Sequence, residues 1–72
     1  MDTEKINNLD YKFFIPRTAA YVIRHIAETK SIDIDKATHL FLSSKTYKQM
    51  ENEKTGYYLK GPVELYNLYI QE

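Results

Sequence analysis

Six of the eight residues from Val63 to Ile70 are apolar or aromatic. They follow Gly61-Pro62, and a proline suits the first turn of a helix, so the segment reads as a helix from Pro62 through about Ile70. Leu65, Tyr66 and Tyr69 form one stripe, Val63 and Ile70 share a second face, and Leu68 extends a third. A surface helix on a small domain needs a single apolar stripe, whereas one that is apolar nearly all round must be covered on several sides. The chain that has to cover it is 72 residues long, and a chain of that size buries only about 60% of its unfolded surface. It has no cysteine, so no disulfide can supplement the core. A second chain is then the simplest extra source of burial.

Composition narrows the class further. A quarter of the residues are Leu, Ile, Val or Phe, enough to escape the highly charged, aliphatic-poor regime of disordered chains. Ten basic and ten acidic residues give a net charge of +0, and both halves are balanced. Nucleic-acid binding runs on phosphate neutralisation, and no cationic excess is available for it. Near-zero net charge also removes the self-repulsion that keeps small proteins apart. No apolar run is long enough for a membrane span, and Met1-Asp2-Thr3-Glu4-Lys5 lacks the apolar stretch of a signal peptide. These features predict a single small cytoplasmic domain.

Along the chain, residues 1–10 are polar with isolated apolar points. With Tyr11-Lys12-Phe13-Phe14-Ile15, a short aromatic run, they read as an N-terminal arm over 1–15 preceding a helical domain over 16–72. Pro16 biases Ile15 toward extended backbone and suits the first turn of a helix through about Thr29. Ala19, Val22, Ile23, Ile26 and Ala27 form the inner face of that helix. Asp33 is a good N-cap for a second helix, about Ile34 to Leu42, with Ala37, Leu40 and Phe41 inward and Ile34 at its start. Ser43 or Ser44 caps a third, Lys45 to about Asn52, with Tyr47 and Met50 on its apolar side. Gly56 is the natural site for positive φ. Tyr57-Tyr58-Leu59 is too short for a helix, and is either a connection or a strand able to pair with residues 11–15. The expected fold is all-α or nearly so: a bundle of three to four short helices, with that pairing as the one extended element allowed.

Catalytic patterns are weak. His25 and His39 fall on different helices, and neither has a His, Asp or Glu four residues later. A structural zinc site needs four ligands and a catalytic one three plus water. Ser43-Ser44-Lys45-Thr46 is phosphate-friendly, but it lacks the glycines of a P-loop, and capping accounts for both serines. The pairs Asp33/Asp35 and Glu51/Glu53 sit at helix ends rather than in a cleft. The expectation is a protein without enzymatic activity, metal or cofactor.

The seven tyrosines are the compositional oddity, and five of them lie in the last 26 residues. Tyrosine offers a large contact area at low entropic cost and keeps a hydroxyl for water or a partner. Core filling and interface contact are both open to each ring. The predicted contact surface is Tyr57, Tyr58, Val63, Tyr66, Leu68, Tyr69 and Ile70, serving a homodimer or docking on another small protein. The alternative is a helix-turn-helix-like DNA-binding regulator. Its recognition helix would present Lys45, Lys48, Gln49 and Asn52 to base edges or phosphates. Glu51, Glu53, the missing turn glycine and the zero net charge stand against it.

The segments VIRHIAE, DIDKATHLF and SSKTYKQMENEKTGYYLKGPVELY, with an acidic end, resemble a family of short bacterial proteins defined by a domain of unknown function. The resemblance covers residues 21–72 and is most specific at Ser44, Thr46, Tyr47, Thr55, Gly56, Tyr58, Pro62 and Tyr66. It implies a compact, mostly helical protein without established catalysis, and it supplies no catalytic residues.

Overall fold

Ile15, Ala19, Val22 and Ile26 follow one another at four-, three- and four-residue steps, which places them on one side of a helix. The computed structural model describes residues 3–72, and side chains from Phe14 onward. In it these residues line the buried side of α1 (Thr3–Lys30). The chain continues through α2 (Ile34–Leu42), α3 (Lys45–Glu51), two 3₁₀ turns at Glu53–Thr55 and Tyr57–Leu59, and α4 (Pro62–Gln71). Among the described residues there are four α-helices and no strand, so the fold is all-α. No described helix is long and apolar enough to cross a membrane.

Two expectations are corrected. Residues 11–15 belong to α1 and residues 57–59 form a 3₁₀ turn, so the extended pairing between them does not exist. The helix also begins at Thr3 rather than at Pro16, so 3–15 is helical rather than a loose arm. Pro16 lacks an amide hydrogen and deprives the Lys12 carbonyl of its helical donor, which costs about 3 kcal/mol in a helix interior. Ile15 and Ala19 straddle the proline and are both buried in the same core, so packing holds the helical register across it. At 28 residues, α1 is about 42 Å long and sets the 46 Å long axis of the molecule.

The helix ends follow local chemistry. Ile32 N donates to the Ala27 carbonyl at 3.1 Å, closing α1 through Ser31, the one non-glycine residue with positive φ (55°) among those described. A side chain in this conformation costs roughly 1–2 kcal/mol, and glycine gives back about half of the gain through its unfolded-state entropy. Ser31→Gly is therefore expected to raise stability by about 0.5–1 kcal/mol in denaturant titration; a loss would mean that the Ser31 side chain stabilises the turn. The Asp33 carboxylate accepts from Lys36 N at 2.8 Å and caps α2. The Ser44 hydroxyl accepts from Tyr47 N at 3.1 Å and caps α3. Gly56, at φ 72°, joins the two 3₁₀ turns.

α2 and α4 pack on α1, and α3 closes the bundle against both of them. The core is Ile15, Ala19, Val22, Ile23 and Ile26 of α1, Ala37 and Phe41 of α2, Met50 of α3 and Leu65 of α4. Ile34 and Leu40, expected inward, are exposed. Ile34 is the first residue of its helix, and Leu40 instead rims a shallow groove with Tyr69 and Ile70.

Candidate interaction surface

The residues of α4 divide by face. Leu65 is fully buried, while Tyr66, Leu68 and Tyr69 are half-buried and pack against the core edge. The Tyr69 and Tyr47 rings meet Phe41 edge-on at 5.8 and 5.7 Å between centroids, and Tyr66 meets His25 at 4.4 Å. Such pairs are worth about 0.5–1.5 kcal/mol beyond the area they bury. Burial first, and then the Glu51 carboxylate, pushes the Tyr47 phenol up; burial, Glu72 and Tyr66 do the same for Tyr69. Both rings therefore stay neutral at physiological pH and work as packing groups. Tyr57 and Tyr58 are also half-buried against the core, and the Lys60 ammonium lies 5.3 Å from the Tyr57 ring centre. Of the seven residues predicted as a contact surface, five are thus partly consumed inside this chain.

Val63 and Ile70 are not consumed. They lie seven residues apart on the outer side of α4 and are 71% and 52% exposed. Leu59, which the sequence reading passed over, is 69% exposed beside Gly61-Pro62. Phe14, Tyr58, Leu59 and Pro62 help to line a concavity of about 300 Å³ where α1, the second 3₁₀ turn and the start of α4 meet. Lys60 stands at its rim and pairs with Glu64 at 3.3 Å. Lone exposed leucines and valines are ordinary on a protein surface; Leu59 differs in lining a mostly apolar hollow.

A different arrangement occupies the start of α3. The Glu72 carboxylate accepts from Lys45 N at 2.9 Å, Thr46 N at 3.0 Å and the Thr46 hydroxyl at 2.7 Å. The phosphate-friendly run Ser43-Ser44-Lys45-Thr46 thus receives the chain's own carboxylate, which ties the end of α4 to α3. Burial alone would raise the Glu72 pKa. The Thr46 hydroxyl, the two amides and the charge of Lys45 outweigh it and hold the carboxyl below its ordinary value. A depressed carboxylate contributes stability above its unfolded-state pKa and loses it as pH falls through the folded-state value. Glu72→Gln is expected to cost about 0.5–1 kcal/mol at neutral pH, discounted for solvent exposure. The gap to the parent should close on acidification in paired urea titrations; an equal gap at both pH values would remove charge as the cause.

Lys45, Lys48, Gln49 and Asn52 are all exposed, at steps that share one side of α3. Two of them already have structural tasks. The Lys45 amide binds Glu72, and the Asn52 carboxamide oxygen accepts from Lys54 N at 3.1 Å to cap the following turn. His25 and His39 lie on α1 and α2, both exposed. Among the described residues no three His, Cys, Asp or Glu side chains are grouped so as to hold a metal ion.

Comparison with protein-family models, with curated proteins and with solved structures finds no match for this chain.

Proposed function

We propose that this chain is a non-enzymatic protein–protein interaction module that docks a partner through the apolar surface left around the start of α4. The observation that carries this reading is that Leu59, 69% exposed, lines a hollow with Phe14, Tyr58 and Pro62, and that Val63, next to Pro62 in the chain, is 71% exposed. The complementary partner is a segment with two aliphatic or aromatic anchors, one for the hollow and one for the Val63–Ile70 ridge. Anchors of this kind supply most of the binding energy at small interfaces. The neutral phenols and shallow hollows suit contact better than catalysis. A chain without cysteine suits the cytoplasm, and the resemblance to short bacterial proteins fits such a module.

The test is a photoreactive amino acid placed at Leu59 or Val63 in cells that express the protein, with Lys36 on α2 as a control. One dominant adduct from both positions, absent from the control and lost when the other of the two is changed to Asp, supports the reading. Equal labelling from all three positions, or none, counts against it.

The DNA-binding alternative draws on the exposed face of α3. A recognition helix meets base edges with its N-terminal residues, and at that end this chain holds the Glu72 carboxylate. No retardation of duplex DNA is expected even at low salt; retardation that weakens steeply with added salt would favour the alternative.

A further inference from the structure

The docking surface around the start of α4 asks its partner for aliphatic or aromatic anchors, and it projects two of its own. Leu59 and Val63 stand four residues apart, and both are largely exposed. Leu59 also lines the hollow with Phe14, Thr18 and Pro62. One patch therefore carries both the receiving and the inserting chemistry. Between the two anchors lies Gly61, and nothing within this chain requires a glycine there. Its φ of −74° and ψ of 164° suit any residue, and a Cβ at this position would have no atom within 4 Å beyond its own chain neighbours. As the N-cap of α4 it offers no side-chain hydrogen bond, which Ser or Asp would supply. What the glycine leaves is bare, exposed backbone, which another chain can approach closely.

The charges on this patch are self-matching. Lys60 and Glu64 each follow one of the anchors in the chain, and they pair with each other at 3.3 Å. The patch thus presents a closed dipole rather than an unmatched charge. We propose that the partner is a second copy of this chain, related by a two-fold axis that passes Gly61 at right angles to α4. Leu59 of each copy enters the other's hollow, with Val63 packing beside it. In this arrangement the two Lys60–Glu64 dipoles run antiparallel, each cation nearer the other copy's anion, and neither internal pair has to break. Two-fold symmetry makes each contact twice. Zero net charge leaves no long-range repulsion to oppose the encounter. This inference rests on the docking reading and names its partner.

The test is sedimentation equilibrium over a concentration series, with circular dichroism establishing that each variant is folded. The parent should rise from 8.6 kDa toward the mass of two copies. Leu59→Asp should weaken the association about tenfold or more, because each dimer would bury two unpaired carboxylates. Gly61→Gln, which meets nothing within its own chain, should keep the parent's helical spectrum and weaken the association by holding the two backbones apart. Leu42→Asp, at an exposed aliphatic position on α2, should leave it unchanged. Association that survives both Leu59→Asp and Gly61→Gln, or a parent that stays at 8.6 kDa, overturns the proposal. The photoreactive residue at Leu59 then separates the two readings. An adduct of a mass other than two copies leaves the docking surface standing and removes only the second copy as its partner, whereas the absence of any specific adduct removes both.

Discussion

Phe41→Ala is expected to remove about half of the protein's stability. Phe41 is fully buried on α2, and its ring is met edge-on by Tyr47 from α3 and Tyr69 from α4. Truncating a buried phenylalanine costs about 3–5 kcal/mol. A domain of this length has roughly 4–11 kcal/mol in total, at 0.05–0.15 kcal/mol per residue. The change removes the surface on which two other helices rest, so neighbouring side chains cannot simply close the gap. Thermal melting followed by circular dichroism should show the midpoint falling by roughly 4–8 °C for each kcal/mol lost. A loss below about 1 kcal/mol would mean that α2 does not pack as described.

Leu65→Ala is expected to have the next largest effect, about 2–5 kcal/mol. Leu65 is the one fully buried residue of α4, and it anchors that helix against the bundle. Val63, two positions earlier and 71% exposed, should tolerate alanine within about 0.5 kcal/mol. The contrast between these two substitutions tests which side of α4 faces the core. Hydrogen exchange adds a second readout. Loosening α4 should also free the Lys45 and Thr46 amides, which donate to Glu72 just past its end. Protection of those two amides should fall in Leu65→Ala and persist in Val63→Ala.

Local chemistry made much of the fold legible. Asp33, Ser44 and Pro62 mark helix starts by capping and by fixed φ, and α2, α3 and α4 begin where those residues place them. The N-terminal half of α1 was not legible, because a proline after a short aromatic run reads as a boundary. Only the packing of Ile15 together with Ala19 shows that the helix passes through it. The Glu72 contact joins residues 26 and 27 positions apart, and no local spacing announces such a pairing. The tyrosines were ambiguous for a physical reason: a ring with an apolar body and a polar tip suits a core edge and an interface equally. The structure sends Tyr47, Tyr66 and Tyr69 to the core edge and leaves the aliphatic residues Leu59, Val63 and Ile70 outside. Leu59 was missed because an isolated leucine in a three-residue turn carries no periodicity.

The apolar surface around Leu59 and Val63 is the place proposed for the docking of another protein. The most direct measurement is a panel of peptides selected against the folded protein from a random library, with binding mapped by amide chemical-shift changes. Enrichment of peptides with paired aliphatic or aromatic anchors is expected, with shifts concentrated at Phe14, Tyr58, Leu59 and Val63 and binding lost in Leu59→Asp/Val63→Asp. Failure to enrich any sequence, or shifts that gather on another face and survive that double substitution, would contradict the proposed docking.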